Sequence, residues 1–266
     1  MAASKAFDEI AASYDLIFTN TTIGQAQRRS AWEEIDRNFH AGQRILELNC
    51  GTGVDATHLA RRGVRVVACD YSPGMIGVAR QRAALSEIPG RIDFRVLATE
   101  KIGELRNEGP FDGVLSNFSG LNCIADLTLV AQDLAQMVRS GGKAILCLFG
   151  RFCLWETVWY LARGDFQRAV RRVAGSALSS RISQRSEVEV WYHSVAKLKK
   201  VFSPQFRLVK WKGLGVVVPP SYLSALAQKH SRLSYFASEI DPWLGACPGL
   251  RAIADHTLLI FERVER

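Results

Sequence analysis

The sequence predicts an α/β fold in which a parallel sheet is covered by helices on both faces. Three observations carry this. Strand-like and helix-like segments alternate with a short period between residues 44 and 149. Several of the strand-like runs are short and apolar, as strands buried on both faces must be. A glycine-rich turn, Asn49-Cys50-Gly51-Thr52-Gly53, joins the first such run to the first helix.

The elements follow in order. Arg44 to Asn49 (RILELN) is a short apolar strand, and Val54 to Arg62 reads as a helix. Arg65 to Asp70 (RVVACD) is a second buried strand. Ser72 is placed to cap the next helix, with Pro73 at its first position, where a missing N–H costs nothing. Ile92 to Leu97 alternates as a third strand, and Phe111 to Asn117 is a fourth. A helix opens at Asp126 or Thr128, runs through Val138 and is expected to stop at Ser140-Gly141-Gly142. Lys143 to Phe149 (KAILCLF) is the fifth strand. Phe152 to Val173 is expected to be helical and is rich in Trp and Arg. Val188 to Val201 reads equally as strand or helix, while Phe206 to Leu214 and Thr257 to Val264 read as strands. No internal repeat or low-complexity tract interrupts the chain, so the expectation is one domain over residues 1–266. Within it, 1–40 form an N-terminal helical cap, 41–150 a cofactor-binding core, and 151–205 with 215–255 inserts that make a substrate lid.

Composition narrows the class. The chain has 266 residues, 48% of them apolar, and belongs with soluble globular proteins. Its start carries no apolar run behind a basic one, as a secretory signal would, and its apolar runs are too short to span a bilayer. Six scattered cysteines lack metal-ligand spacing, so a reducing cytoplasm, no disulfides and no metal are expected. The net charge of +8 is concentrated: residues 151–212 hold thirteen Lys or Arg against four Asp or Glu. Such a segment suits an acidic substrate, an anionic membrane or nucleic acid, or is a set of solvated helix faces. Zinc, P-loop and RNA-binding motifs are absent, which argues against nucleic acid.

The glycine turn lets a ligand approach the backbone, and the helix behind it offers free N–H groups. Asp70 ends the second strand nineteen residues after Gly51, where a carboxylate can accept from two ribose hydroxyls. Gly51-Thr52-Gly53-Val54-Asp55-Ala56 also fits a dinucleotide fingerprint, so the turn alone leaves an NAD(P)-dependent oxidoreductase open. Three features argue against NAD. Glu47, at the strand end, brings charge toward a cationic ligand. Tyr71 and Met75 put an aromatic and a thioether beside the ribose. No second nucleotide-binding half follows.

Glu47-Leu48-Asn49-Cys50-Gly51-Thr52-Gly53 resembles the first motif of class I S-adenosylmethionine-dependent methyltransferases. Asp70-Tyr71-Ser72-Pro73-Gly74-Met75-Ile76 resembles their second-strand motif, Phe111 to Asn117 their fourth-strand motif, and Ser140-Gly141-Gly142 the turn before strand five. The resemblance covers roughly Phe7 to Phe149. It implies a Rossmann-like three-layer sandwich with seven strands, mostly parallel, the last one antiparallel, plus a helical lid insert. It implies S-adenosyl-L-methionine as cofactor, with Gly51 and Gly53 along its methionine part and Glu47 toward its amino or sulfonium end. Asp70 would bind the ribose, Tyr71 and Met75 would pack near ribose and adenine, and Asn117 would sit by the methionine moiety. Tyr14 resembles an N-terminal tyrosine that covers the cofactor in many members. Two departures stand out. Asn49 replaces the first motif glycine, although Asn tolerates a left-handed backbone better than most residues. Ala98 stands where relatives often carry an acidic adenine ligand, which leaves the backbone near Thr99, or Glu100, for adenine.

Methyl transfer from a sulfonium needs alignment and exclusion of water more than a catalytic triad, and a general base is optional. The loop after the fourth strand supplies Phe118 and Asn122 as candidates for the acceptor site. His193, in Trp191-Tyr192-His193, is the first candidate for a base. Trp155 and Trp159, with Tyr192, are candidates for a lid over an apolar or aromatic small molecule, with arginines of the insert holding an acidic group on it. The same Trp- and Arg-rich insert also reads as a surface helix resting on a membrane. The expected activity is methyl transfer to an O or N of a small-molecule acceptor. A non-catalytic cofactor-binding protein on the same fold is the remaining alternative, and the oligomeric state is open.

Overall fold

The computed structural model describes residues 2–86, 88, 90–173, 178–181 and 187–265, so 174–177 and 182–186 of the expected lid insert lie outside the described residues. The chain opens with α1 (Ala2–Ile10), a π-helical turn at Asp15–Thr19 and α2 (Thr22–Asn38). The core then alternates β1 (Arg44–Leu48), α3 (Val54–Arg61), β2 (Arg65–Asp70), α4 (Pro73–Leu85), β3 (Ile92–Val96), a 3₁₀ segment at Thr99–Glu108, β4 (Phe111–Ser116), α5 (Thr128–Met137) and β5 (Val138–Phe149). An insert follows with α6 (Leu154–Leu161), α7 (Phe166–Ala169), β6 (Leu178–Arg181), β7 (Glu187–Val190) and α8 (Val195–Phe202). The chain returns as β8 (Phe206–Leu214), crosses α9 (Ser224–Lys229) and α10 (Ser231–Leu244), and ends in β9 (His256–Arg263).

Seven strands form one sheet in the order β3-β2-β1-β4-β5-β9-β8. β1 to β5 are parallel, and β9 runs antiparallel to both β5 and β8. The expected mostly parallel sheet with an antiparallel last strand is therefore present. β6 and β7 form a separate two-stranded ribbon.

The period-2 alternation of strand side chains divides the core into two layers. Leu46, Leu48, Val114, Leu146 and Leu148 face one layer, which α5 and α8 close with Leu134, Leu198 and Phe202. Ile45, Ala68, Leu115, Ile145 and Cys147 face the other, closed by Ile35 of α2, Leu59 of α3 and Ile76 of α4. Both faces of the sheet are thus dry, which is why the central strands are apolar on both faces along most of their length. Each fully buried Leu or Ile contributes on the order of 1.5–3 kcal/mol.

Three expectations need correction. Ser140-Gly141-Gly142 does not stop a helix: α5 already ends at Met137, and the glycines lie inside β5. Val138 pairs with Phe111, the register slips, and pairing resumes at Gly113 with Lys143. Gly141 has φ +76°, which lets the strand bulge there. The helical stretch expected over Phe152 to Val173 is broken into α6 and α7 at Gly164, whose φ is +72°. The ambiguous Val188 to Val201 is both things in turn, strand to Val190 and helix from Val195, with Ser194 Oγ accepting from Lys197 N to start the helix.

Candidate functional site

The turn after β1 is the first wall of the site. Asn49, Gly51 and Gly53 all have positive φ, at +54°, +53° and +73°. Asn49 keeps that conformation with its amide engaged on both sides: Nδ2 donates to Ser116 Oγ at 3.3 Å, and Oδ1 accepts from Thr99 Oγ1 at 2.9 Å. It thereby ties β1, β4 and the segment after β3 together, a task glycine cannot perform. A Cβ on Gly51 would project into open space, whereas one on Gly53 would lie 2.8 Å from Ala79 Cβ of α4. Gly51 is therefore the point where a ligand can meet bare backbone, and Gly53 is where two helices meet.

Asp70 organises the second wall. One carboxylate oxygen accepts from Gly51 N at 2.8 Å and the other from Ser72 N at 2.9 Å. A carboxylate offers about four acceptor positions, so two remain for a ligand's hydroxyls. Burial raises its pKa, partly offset by those same backbone N–H groups. Ser72 Oγ accepts from Met75 N and caps α4 behind Pro73, as expected. Met75 packs with Ile10, Ala11, Phe7 and Tyr14, so the N-terminal segment closes over this end. Asp15 fastens that segment to the turn, accepting from Thr52 Oγ1 at 2.8 Å and pairing with Arg82. Burial pushes the Tyr14 phenol up to about 12, against the opposing pull of Arg28.

A single cavity of about 440 Å³ runs from these walls across the carboxyl ends of the parallel strands. Its near half is lined by Tyr14, Asn49, Gly51, Asp70, Tyr71 and Met75, with Thr99 and Glu100 beyond. Its far half is lined by Phe18, Phe118, Phe149 and His256, with Ile124 behind them and Val188 and Val190 of the β6–β7 ribbon opposite. The rings form one cluster: Phe18 lies 5.2 Å from Phe118, and His256 lies 5.7 Å from Phe118 and 4.7 Å from Phe149. Phe118 and Ser119 both hold positive φ, +52° and +70°. Such backbone strain in non-glycine residues persists only where the surroundings enforce it. Here Ser119 N donates to Cys147 O at 2.9 Å, and the Arg28 guanidinium lies 4.6 Å from the Phe118 ring.

His256 sits beside a buried ionic cluster. Its Nδ1 is 3.2 Å from Asp255 Oδ2, close but off the line of a well-formed hydrogen bond. Asp255 also accepts from Arg172 at 2.8 Å and Gln27 at 3.2 Å. Burial would raise the Asp255 pKa, but the neighbouring His256 and Arg172 hold it well below the usual carboxylate range. Arg172 reaches on to Glu156 of α6, which Arg171 also grips with two hydrogen bonds. No described residue donates to or accepts from His256 Nε2, which leaves that nitrogen for a molecule in the cavity.

Several expected site residues lie elsewhere. Asn117 does not line the cavity: its Nδ2 donates to Asp55 Oδ2 at 3.0 Å, holding the start of α3. Asn122 is wholly buried and bonds Trp191 O and Phe149 N, stapling the insert to β5. His193 is turned away, with Nε2 2.9 Å from Ile124 O, and burial lowers its pKa. Ala98, Trp155, Trp159 and Tyr192 are also outside the lining, as is Gly53. Trp159 carries the Arg163 guanidinium over its ring at 3.3 Å, and Tyr192 packs 6.1 Å from Phe149. Glu47 is buried behind the turn with Oε2 lacking any partner, and burial raises its pKa well above the ordinary range. Among the described residues no Lys or Arg lines the cavity.

His256, Phe149 and the two valines of the ribbon were missed from sequence. One signal was available for His256. An antiparallel strand beside β5 begins where β5 ends, and His256 pairs with Phe149 in register. The first residue of the last strand is therefore delivered to the same edge as the ends of the parallel strands.

The comparisons with known proteins agree with this geometry. A family profile described as "Methyltransferase domain" matches residues 45–142. A demethylmenaquinone methyltransferase of Mycobacterium marinum is 27% identical over 219 residues, covering 78% of this chain and 86% of its own. The structure of an S-adenosylmethionine-dependent methyltransferase from Listeria monocytogenes superposes with a TM-score of 0.62 at 16% identity, over 89% of this chain and 98% of that one. A phosphoethanolamine N-methyltransferase of Haemonchus contortus, solved with S-adenosylmethionine, gives 0.60 at 18% identity over 97% of this chain and 57% of that one. At such identities the structures speak for the fold, while the family profile and the sequence relatives speak for the activity. The cofactor is S-adenosylmethionine, and the NAD reading of the glycine turn is set aside. Residues 45–142 match a methyltransferase domain, and together with the fold and the sequence relatives this supports a class I S-adenosylmethionine-dependent methyltransferase.

Proposed function

We propose that the protein methylates a small, flat, mostly apolar acceptor of the phenol or quinol type, with His256 as general base. The observation that carries this is the continuity of the cavity: Asp70 and His256 line one space, polar at one end and aromatic at the other. S-adenosylmethionine, when bound, supplies an electrophilic methyl group on a sulfonium. The residues present fit it. Asp70 has free acceptor positions for ribose hydroxyls, Gly51 leaves open space above its backbone, and Glu47 keeps an unpartnered Oε2 behind the turn. Tyr14, Tyr71 and Met75 supply apolar cover, and Thr99 and Glu100 stand where adenine would be read.

In the far half, Phe18, Phe118 and Phe149 provide faces and edges for a ring, a geometry that favours offset or edge-on stacking. His256 Nε2 accepts the proton of an acceptor hydroxyl. The resulting phenolate would share its charge between oxygen and conjugated ring carbons, either of which could take the methyl group that S-adenosylmethionine would supply; a ring carbon so methylated would then give up its own proton through solvent to restore the hydroxyl. The proton then leaves from His256 to solvent. Asp255 lies against Nδ1 and stabilises the imidazolium that forms, while Arg172 holds Asp255 in place. The relatives' name, demethylmenaquinone methyltransferase, points to the same class of acceptor, a quinone-type ring. An acidic group on the acceptor is not proposed, since Arg171 and Arg172 pair with Glu156 and Asp255 and no described Lys or Arg lines the cavity. The lid over the acceptor is the β6–β7 ribbon with Ser221, not Trp155 and Trp159.

Methyl-deuterated cofactor offered with a panel of naphthols, hydroquinones and small amines tests this reading. Label should appear in the aromatic hydroxyl compounds, on oxygen or ring carbon. Label in amines alone, or in none of the aromatic hydroxyl compounds, would overturn it.

A further inference from the structure

From the outer face of the α6–α7 hairpin we infer a docking site for an anionic lipid surface. The inference goes beyond the reaction, and its readout does not involve turnover. On α6, Leu154, Val158 and Leu161 follow helical spacing; Phe166 opens α7, and Val170 and Val173 lie in the turn that follows it. These six side chains are between 41% and 70% exposed. An isolated exposed leucine needs no explanation, but six exposed apolar side chains on one hairpin do.

The hairpin is held from the inside. Thr157 Oγ1 donates to Ala169 O at 3.1 Å, and Arg171 and Arg172 clamp Glu156. Its apolar side chains are therefore a fixed outer face, not residues waiting to fold inward. The charges around that face are mainly positive. Arg151, Arg163 and Arg168 are exposed, whereas Glu156 is buried and Asp165 both caps α7 and pairs with Arg168 at 3.4 Å. Arg163 stacks on Trp159, a cation and an aromatic paired as interfacial residues are.

Charge decides the occupant. A second copy docking through the same patch would bring three exposed arginines against three others with one weakly placed carboxylate to relieve them. An anionic headgroup layer complements those arginines, and the acyl region beneath receives the six apolar side chains. The face also adjoins the cavity: the Tyr160 ring of α6 lies 6.3 Å from Tyr222, next to the lining residue Ser221. An acceptor dissolved in the bilayer would thus have a short path into the site. Among the described residues no helix is long and apolar enough to cross a membrane, so contact through this hairpin is peripheral.

Cosedimentation of the full chain with vesicles tests the site. With equal parts phosphatidylglycerol and phosphatidylcholine the wild type should sediment, and high salt or pure phosphatidylcholine should release it. The pair Val158→Glu and Phe166→Glu should weaken binding by at least about tenfold. The pair Arg163→Glu and Arg168→Glu should do the same, and carries the test if the first pair fails to fold. A thermal shift with S-adenosylhomocysteine shows that each variant is folded. A wild type that ignores the anionic vesicles, or folded variants that bind them equally well, would overturn the inference. So would a dimer in sedimentation equilibrium that the first pair abolishes, since the patch would then belong to a second copy.

Discussion

The near and far halves of the cavity are built by different means. The near half rests on local backbone geometry: three positive-φ residues in one turn, a carboxylate that takes two backbone N–H groups, and a capped helix. The far half rests on tertiary assembly. Phe18 comes from the N-terminal segment, Phe118 from the loop after β4, Phe149 from the end of β5, and His256 from the start of β9. Local geometry is written in consecutive residues, so a few motifs reveal it. Tertiary assembly requires the strand order, and no single stretch of sequence contains it. In the proposed reaction the difference also separates function: the near half would hold the cofactor and the far half the acceptor.

The largest expected effect lies in the far half. His256→Gln keeps a flat polar side chain but removes the base, and turnover should fall by about 10²–10⁴, the usual worth of general base catalysis. Methyl transfer followed by mass spectrometry reads this, and turnover within twofold of wild type would remove His256 from the chemistry.

Next comes the ionic cluster that supports His256. Arg172→Ala leaves Asp255 buried beside His256 without its guanidinium, and Glu156 with Arg171 alone. Breaking such a buried pair costs roughly 3–5 kcal/mol, to be read as a loss of denaturant midpoint. The same cluster gives a pH dependence. The folded pKa values of Asp255 and Glu156 are depressed: burial opposes ionisation in both, but His256 and Arg172 outweigh it at Asp255, and Arg171 and Arg172 at Glu156. Their stabilising contribution is therefore full above the unfolded carboxylate range near about pH 4 and is lost as pH falls through the folded values. Arg172→Ala should flatten that acid limb of a stability–pH curve, and an unchanged limb would show that the cluster contributes nothing there.

The smallest effect is expected in the near half. Gly53→Ala must place a Cβ 2.8 Å from Ala79 in a left-handed backbone, a cost of about 1–3 kcal/mol. Gly51→Ala meets open space in the empty protein and should cost less stability. Its penalty should instead show in cofactor affinity. Equal stability losses at the two glycines, measured by denaturation, would erase the distinction between packing glycine and ligand-facing glycine.

Much of the fold was legible in the sequence for physical reasons. β2 spans Arg65–Asp70 as expected because an apolar run between Gly63 and the Ser72-Pro73 cap leaves no other frame. The end of α5 was placed to within one residue, but Ser140-Gly141-Gly142, which carries the composition of a helix stop, lies inside β5, where Val138 already pairs with Phe111. The family resemblance suggested Asn117 for the methionine moiety, the loop after the fourth strand suggested Asn122 for the acceptor, and the insert suggested His193 as a base. In this chain each is consumed by the protein itself: Asn117 by Asp55, His193 by Ile124 O, Asn122 by the backbone of Trp191 and Phe149. Which partner a buried polar group finds is a tertiary fact. His256 is the converse case, since its strand was identified while the edge to which β9 delivers it was not used.

The division of labour between the halves is tested most directly by calorimetric titration of S-adenosylhomocysteine into wild type, Asp70→Ala and His256→Gln. Asp70→Ala removes the acceptor of the ribose hydroxyls and of two backbone N–H groups, so affinity should fall by about 1–3 kcal/mol, roughly 5- to 150-fold. Wild-type affinity should also weaken toward acid at a higher pH than for an ordinary aspartate, because burial raises the Asp70 pKa. His256→Gln should bind within about twofold of wild type, a margin below 0.5 kcal/mol. Unchanged affinity in Asp70→Ala, or a loss in His256→Gln as large as that expected for Asp70→Ala, would contradict the assignment of the two halves.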